Sequence, residues 1–219
     1  MQKNSGFTLI EIAIVLVIIG LLLGGVLKGQ ELINNAKVRN IISQQDSYKA
    51  AFFAFQDRFR ALPGDYAQAA ANISGNPGTP NGDGNSRVEL LNAANCNETV
   101  TAWLHLTRAG FISGNFAGGC GAAAAVDNSP TNAYGGIVQL IFDNNFTGIQ
   151  TISHNLKTGA LIPVNIISEI DRKLDDGFPN TGIFRFSTWQ GAAAACTTGN
   201  PATWDIAGAN ANCGGAYLF

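Results

Sequence analysis

An uninterrupted apolar run dominates the beginning of the 219-residue chain. After six polar or small residues, the stretch from Phe7 to Leu27 carries one charged side chain, that of Glu11. As a helix this stretch would be about 31 Å long at 1.5 Å per residue, close to the ~30 Å of a bilayer core. An ordinary secretory signal is cleaved beyond its apolar run, next to small residues, whereas here Lys28-Gly29-Gln30 follows. The pattern therefore predicts a retained transmembrane helix over residues 7–27.

The helical periodicity continues beyond the apolar run. Bulky side chains recur at steps of three and four, which is the spacing of one helix face, at Ile41, Gln45, Tyr48, Phe52, Phe55, Phe59 and Leu62. Pro63-Gly64 then interrupts the pattern. We expect one helix from Phe7 to about Leu62, with its first half in the membrane. Its aromatic stripe should be buried against a sheet, because such stripes usually face a core.

The remaining residues, 63–219, predict a mixed head with loops rich in Gly and Asn. The apolar periodicities indicate helices near Tyr66–Asn72, at Glu98–Ala109 and at Pro163–Asp175, and strands at Gly136–Asp143, Gly148–Ser153 and Ile183–Trp189. Residues 191–219 are expected to form a loop region. The predicted fold class is α+β: a long N-terminal helix packed on a small antiparallel sheet, in a lollipop shape.

Charge is scarce in this chain. Charged residues make up 13% of it and the net charge is −2, so bulk electrostatics do not favour nucleic-acid binding. We therefore expect no nucleic-acid partner.

Four cysteines lie in the head, at Cys96, Cys120, Cys196 and Cys213. They form no CxxC pair of the kind that zinc sites use, so two disulfides in an oxidising compartment are expected. Three connectivities are possible, of which neighbour pairing closes the shorter loops. Buried free thiols are the alternative.

Glu11 is the exception within the apolar run. A carboxylate inside a bilayer costs about 2.5 kcal/mol or more, so it is expected to have a function. The nearest cation would be an α-amino group freed at Phe7, in the same chain or in a neighbouring subunit. The alternative is a side chain close enough to the interface to reach water.

The N-terminal string carries a family resemblance. The sequence Lys3-Asn4-Ser5-Gly6-Phe7-Thr8-Leu9-Ile10-Glu11, followed by an apolar run, resembles the signal of type IV prepilins and type II secretion pseudopilins. The resemblance implies cleavage between Gly6 and Phe7 by a prepilin peptidase, N-methylation of Phe7 and a role for Glu11 in filament assembly. Two softer similarities to large prepilin-like proteins lie in the head, at residues 62–65 and 171–177.

This resemblance implies a structural subunit of a pilus-like filament rather than an enzyme. It implies a leader at residues 1–6, a long helix at 7–62 and a head at 63–219. The expected partners are further copies of the chain, related pilins, prepilin peptidase and an inner-membrane assembly platform. The expected location is the inner membrane of a Gram-negative bacterium with the head in the periplasm, and then a pilus or a pseudopilus.

Several alternatives remain within and outside this class. The chain could be a pilus subunit, a minor pilin or a secretion pseudopilin. It could also be a membrane-anchored monomeric periplasmic binding protein or enzyme. A DNA-uptake pilin would need a basic patch, and none stands out in the sequence.

Oxygen-bearing residues cluster at two places that could bind calcium. These candidate ligands are Asn81, Asp83 and Asn85 in a polar loop, and Asp171, Asp175 and Asp176 at the end of a predicted helix. A solvated acidic turn is the alternative at each place. The sequence shows no catalytic constellation: His105 is expected to be a packed core residue, and His154 a solvated one.

Overall fold

The computed structural model describes residues 8–73, 78–90, 96–117, 119–149 and 151–219. The helices are α1 (Leu9–Phe59), α2 (Ala69–Asn72), α3 (Glu98–Arg108) and α4 (Val164–Leu174); the strands are β1 (Gln139–Asp143), β2 (Ser153–Lys157), β3 (Phe184–Phe186), β4 (Thr197–Thr198), β5 (Thr203–Trp204) and β6 (Gly215–Leu218). The chain forms two compact units, Met1–Lys37 and Val38–Phe219. The expected α+β fold, with a long N-terminal helix and a small antiparallel sheet, is confirmed.

The helix α1 ends earlier than predicted, at Phe59. Arg60 adopts a left-handed backbone with a φ of 52°, and its N–H donates to the carbonyl of Gln56 at 2.9 Å. This bond is the left-handed form of helix termination. The helix therefore ends at Phe59 with Arg60 as its C-terminal capping residue, three residues before Pro63 is reached.

The stripe on the second part of α1 faces the core, as predicted, although its aromatic residues Tyr48 and Phe59 are only half-buried. Ile41, Gln45, Phe52 and Phe55 are inaccessible to solvent or nearly so. Phe53 lies one residue off the stripe, and 45% of its surface is exposed.

The main sheet has the strand order β1-β2-β6-β3, and every neighbouring pair is antiparallel. Leu156 in β2 lies opposite Leu140 on one side and Tyr217 on the other. Other segments cover the two edge strands: Phe142 in β1 donates its N–H to the carbonyl of Val88 at 2.8 Å, and Phe186 in β3 donates to that of Pro179 at 2.8 Å. Covered edges do not recruit further strands.

The second strand was wrongly predicted at Gly148–Ser153; it lies at Ser153–Lys157. Its sequence looks too polar for a buried strand, yet Asn155 and Lys157 are fully buried. Asp143 on the neighbouring strand accounts for both, since its Oδ1 accepts from Lys157 Nζ at 2.9 Å and from Asn155 Nδ2 at 2.9 Å. Local periodicity could not predict this strand, because the partner that makes its polar residues compatible with burial lies on another strand.

The expectation of a loop over residues 191–219 is also wrong in part. Residues 215–218 form β6, which occupies the interior of the sheet between β2 and β3. Gly215 lies beneath the ring of Phe184, and a Cβ at this position would come within 2.3 Å of it. The strand is short and contains a glycine, so it gives little local signal.

The core of the second unit is built from α1, α3, α4 and the sheet. Tyr48 of α1 packs edge-on against Trp103 of α3, with ring centroids 5.0 Å apart. Phe52 contacts Phe219, next to β6, with centroids 5.1 Å apart. From α4 the core receives Ile166, Ile167 and Ile170.

Two disulfides close loops of the head. Cys96 is bonded to Cys120, and Cys196 to Cys213. This is the neighbour pairing, the one of the three possible connectivities that closes the shorter loops.

Candidate functional site

Thr8 and Glu11 form a reciprocal cap at the start of α1. Glu11 Oε2 accepts from the backbone N–H of Thr8 at 2.8 Å and from its hydroxyl at 2.7 Å. In return, the backbone N–H of Glu11 donates to Thr8 Oγ1 at 3.4 Å. This is a capping box, in which two residues three apart satisfy helix N-terminal donors. The pattern Thr-x-x-Glu is the sequence signature of this box. Neither prediction for Glu11, a charge paired with a cation or a side chain that reaches water, includes this capping role.

One carboxylate oxygen of Glu11 carries both of these bonds. In the part of the chain that the structure describes, Glu11 has no ion pair within 4 Å. The cap therefore leaves Oε1 available to a group from outside the chain. Gly6 and Phe7, the predicted processing residues, lie outside the described residues.

The apolar side chains that follow the cap are all exposed. No residue of α1 ahead of Val38 is buried, and the large apolar side chains from Leu9 to Ile33 expose between 46% and 92% of their surface. Within the described ranges, α1 is the one helix long and apolar enough to cross a membrane. Soluble proteins rarely leave so large an apolar surface uncovered, so this part of α1 is built to meet lipid or other protein.

In the head, the turn at residues 62–65 holds the polar loop that follows α2. Asp65 Oδ1 accepts from the backbone N–H of Asn85 at 2.9 Å, and Oδ2 accepts from that of Ser86 at 2.9 Å. A Cβ on Gly82 would come within 2.2 Å of the Asp65 backbone, so only glycine permits this approach. The first of the two softer sequence similarities is thus a loop-fixing turn.

His105 locks the same turn from α3. Its Nδ1 accepts from the backbone N–H of Gly64 at 3.0 Å, so Nε2 carries the proton and donates to the carbonyl of Pro80 at 2.8 Å. Burial lowers the pKa of His105 to about 4. His105 is therefore a neutral structural residue, as the sequence analysis expected.

The candidate ligands Asn81 and Asn85 have their side-chain oxygens in local hydrogen bonds. Asn81 Oδ1 accepts from the backbone N–H of Ala70 at 2.8 Å, and Asn85 Oδ1 accepts from that of Arg87 at 2.8 Å. Asn85 also contacts Asp83, whose carboxylate accepts from the backbone N–H of Asn85 at 3.1 Å and from its Nδ2 at 3.2 Å. Calcium binding by this loop stays a prediction.

Asp83 instead lies with Asp65 and Glu98, and one carboxylate oxygen of each falls within 4.8 Å of the others. Backbone donors engage both oxygens of Glu98: Oε1 accepts from Asp83 at 3.1 Å and Oε2 from Glu89 at 3.2 Å. Sequence reasoning missed Asp65 and Glu98, because each is far along the chain from Asp83. The carboxylates of Asp65 and Glu98 thus hold the loop in place by accepting hydrogen bonds from its backbone N–H groups.

The second predicted group, Asp171, Asp175 and Asp176, does come together. One carboxylate oxygen of each lies within 4.8 Å of the others. Asp171 is fully buried; its Oδ2 accepts from Trp204 Nε1 at 2.7 Å, and no donor among the described residues is in full hydrogen-bonding geometry with its Oδ1. Burial raises the pKa of Asp171 to about 6, the neighbouring carboxylates add to the rise, and the N–H groups of Trp204 and Gly177 oppose it.

His154 is half-buried, so the expectation of a solvated side chain is wrong. It lies in β2 with its ring 4.8 Å from that of Phe142 and 5.8 Å from that of Phe52. Its Nε2 is buried without a hydrogen-bond partner among the described residues, and burial lowers its pKa to about 4. The polar strand around it gives no local sign of this burial.

These features define a chain with a membrane-capable N-terminal helix, capped by an acidic residue, and a disulfide-containing α+β head. Residues 1–27 match the prokaryotic N-terminal methylation motif, which is the signal of type IV pilins and pseudopilins. The resemblance stated from the sequence is thereby confirmed for this segment, and the motif favours a structural subunit over an enzyme. No curated protein and no solved structure matches the chain.

Proposed function

We propose that this protein is a precursor subunit of a type IV pilus-like filament. The observation that carries the proposal is the methylation motif at residues 1–27, placed on a helix whose apolar side chains are all exposed as far as Ile33. Such a surface can first lie in lipid and later pack against the same helices of other subunits. Hydrophobic packing of this kind gives a fibre its cohesion without any ligand.

Processing is the first step of the proposal. Prepilin peptidase cleaves between Gly6 and Phe7, which frees the α-amino group of Phe7 for methylation. The residues from Phe7 to Leu27 then anchor the subunit in the inner membrane, with the head of residues 63–219 in the periplasm. The disulfides Cys96–Cys120 and Cys196–Cys213 fit this compartment, because it is oxidising.

Glu11 sets the register between subunits in this proposal. Its Oε2 is held by Thr8, which fixes the direction of the carboxylate, and Oε1 stays available to a cation. In a fibre of staggered helices, the freed amine at Phe7 of one subunit is the cation that reaches the Glu11 of another. A charge in an apolar environment is far less costly when it is paired and hydrogen-bonded than when it is alone.

The experiment replaces Glu11 in cells that assemble the filament. In Glu11→Gln an amide oxygen can still accept from Thr8, so the cap and the anchor remain while the charge is lost. We expect membrane insertion and cleavage to persist and the filament to be lost, as measured by microscopy and by cross-linking between subunits. The matched control is Glu31→Gln, which removes an exposed acid from the same helix, paired there with Lys28 at 2.7 Å.

Two results contradict the proposal. If Glu11→Gln assembles as well as the unaltered chain does, the register role is wrong. If the mature protein begins at Met1, with no methylated Phe7 in its mass spectrum, and stays monomeric, the chain is a membrane-anchored periplasmic protein instead. Filaments on the cell surface would identify a pilus, and filaments confined to the periplasm a secretion pseudopilus.

A further inference from the structure

We propose that Lys157 and Asp143 condense into an amide (isopeptide) bond, which joins strand β2 to strand β1 within one chain. The bond lies wholly within the second unit and does not depend on filament assembly. Four observations support it: the contact between the reacting groups, the hydrogen-bond donors around the carboxylate, the exclusion of water, and the place of the pair in the sheet.

The first observation is the contact between the two reacting groups. Lys157 Nζ lies 2.9 Å from Asp143 Oδ1, and it also donates to the carbonyl of Asn145 at 2.8 Å. These two bonds hold the amine against the carboxyl group. Groups that are held about 3–3.5 Å apart in the right orientation react far faster than the same groups free in solution. The fold thus supplies the proximity that an amine and a carboxylic acid otherwise lack.

The second observation concerns the donors around the carboxylate. Asp143 Oδ1 accepts two further hydrogen bonds, from Asn155 Nδ2 at 2.9 Å and from the backbone N–H of Asn145 at 3.3 Å. Attack of an amine on a carboxyl carbon places negative charge on such an oxygen, and donors already in position stabilise that charge. Oδ1 is therefore the oxygen that remains in the amide.

The third observation is the exclusion of water from the amine. The side chain of Lys157 is 1% exposed and that of Asp143 is 21% exposed, and the ring of Phe146 is centred 5.3 Å from Nζ. Burial lowers the pKa of Lys157, although Asp143 opposes the shift. Desolvation makes a buried ion pair costly, whereas the amide that replaces it carries no charge.

The step balances without an oxidant, a cofactor or a second protein. A proton passes from Lys157 Nζ to Asp143, which leaves a neutral amine and a neutral carboxyl group. The bond between Nζ and Cγ forms, and the bond between Cγ and Oδ2 breaks. Oδ2 leaves as water with two of the three ammonium hydrogens, and the third stays on the amide nitrogen.

The fourth observation is the place of the pair in the sheet. The strand β1 lies at one end of the strand order, where β2 is its neighbour. In their register Asp143 lies opposite Ser153, and Lys157 lies opposite Gln139. An amide between Asp143 and Lys157 would therefore run diagonally across the two strands. Such a bond would fix their register and hold the edge strand to the sheet.

Mass spectrometry of the folded, full-length protein tests the bond directly. After reduction of the disulfides, chymotryptic cleavage behind Phe146 separates Asp143 from Lys157 along the chain. We expect the two resulting peptides to stay joined and to weigh one water molecule less than their sum. Fragmentation of the joined peptides should place the link between these two side chains. The comparison is made on peptides, so processing at the N-terminus does not affect it.

Three variants test the assignment. Lys157→Arg keeps a cation beside Asp143 but removes the amine that attacks, so the link should be lost. Lys173→Arg is the matched control, because Lys173 pairs with Glu169 at 3.0 Å in an exposed position, and the link should persist. Asn155→Ala removes one donor to Oδ1 and should slow formation of the link by about a hundredfold, measured as the joined fraction over time after refolding.

Three results would overturn the proposal. One is recovery of the two peptides unjoined from the folded, unaltered chain; this result is decisive even if Lys157→Arg does not fold. Another is a loss of water that fragmentation places at other residues. The last is a link that survives in Lys157→Arg.

Discussion

The two parts of α1 differ in what covers their apolar side chains. Ahead of Val38 the helix buries nothing, and Leu9 exposes 92% of its surface. From Val38 onward its stripe is covered by the chain itself, and Ile41 and Phe55 expose none of theirs. The covered part stabilises the head, whereas the uncovered part can still gain hydrophobic free energy by burial in lipid or against other protein. One continuous helix thus has two kinds of partner.

The largest loss of stability is expected from a substitution in the covered part of α1. Phe55→Ala should destabilise the second unit by roughly 3–5 kcal/mol, because it leaves a cavity beside Phe59, His105 and Phe111. Thermal unfolding in detergent, followed by near-ultraviolet circular dichroism, would measure the loss.

Leu22→Ala is the matched control in the uncovered part, since Leu22 is 64% exposed. It should leave the unfolding of the head within about 0.5 kcal/mol of the original value. An equal loss from both variants would contradict the division of roles along α1.

The second prediction concerns the disulfide between Cys196 and Cys213. Replacing both cysteines by serine should cost about 2–5 kcal/mol, since the unfolded chain regains the freedom of a closed loop. The midpoint of denaturant unfolding measures this loss. Membrane insertion through residues 7–27 should not change, and a failure to insert would show that the two parts of the molecule are not independent.

The third prediction is a loss of stability in acid. The pKa of His105 is about 4 in the folded protein, against 6.5 for an unperturbed histidine. A group with a lowered pKa contributes stability above its unfolded value, so this contribution should fall between pH 6.5 and 4, by at most about 1.4 kcal/mol per pH unit. Protonation at Nδ1 would remove the acceptor for the N–H of Gly64.

His154, whose pKa is also about 4, acts in the same direction as His105, whereas Asp65 and Asp171 act in the opposite direction over part of this range. Burial raises the pKa of Asp65 to about 6 from 3.8, so its protonation favours the folded state as the pH falls from 6 to 3.8. Denaturant melts of His105→Gln and Asp65→Asn as a function of pH would separate the contributions of these two residues. If His105→Gln keeps the same acid slope as the unaltered chain, His105 is not its source.

The smallest expected effect is at the start of α3. Asn97 caps this helix by accepting from the N–H of Thr99 at 3.2 Å, so Asn97→Ala should cost about 1 kcal/mol. Asn97→Asp keeps the capping oxygen and should recover most of the loss in thermal unfolding. Equal losses in both variants would point instead to the bond from Asn97 Nδ2 to the carbonyl of Ala122.

The elements that the sequence predicted well carry their own periodicity. The stripe of α1, the helix α3 and the helix α4 all bury the apolar residues that repeat at helical spacing. The strands β2 and β6 were missed because their burial depends on partners far away in the chain: Asp143 compensates the buried Lys157, and Phe184 covers Gly215. The local pattern of apolar and polar residues predicts neither of these two contacts.

The candidate sites show the same difference between groups formed by residues close in sequence and groups formed by residues far apart. The predicted helix places Asp171 and Asp175 on one face at a spacing of four. The helix α4 ends at Leu174, before Asp175, yet the two carboxylates do approach each other. Asp83 contacts its predicted neighbour Asn85, and the fold also brings it to Asp65 and Glu98, which the local pattern did not indicate. Asp65 lies in the turn at 62–65 and Glu98 lies in α3, so only the three-dimensional structure shows that they meet Asp83.

The position of β6 has a consequence for how the head matures. Strands β2 and β3 do not pair with each other; both pair with β6, which follows them in the chain. The four-stranded sheet therefore cannot form until residues 215–218 are in place. Until then β3 stays separate from the pair formed by β1 and β2, so β6 determines when the head becomes stable.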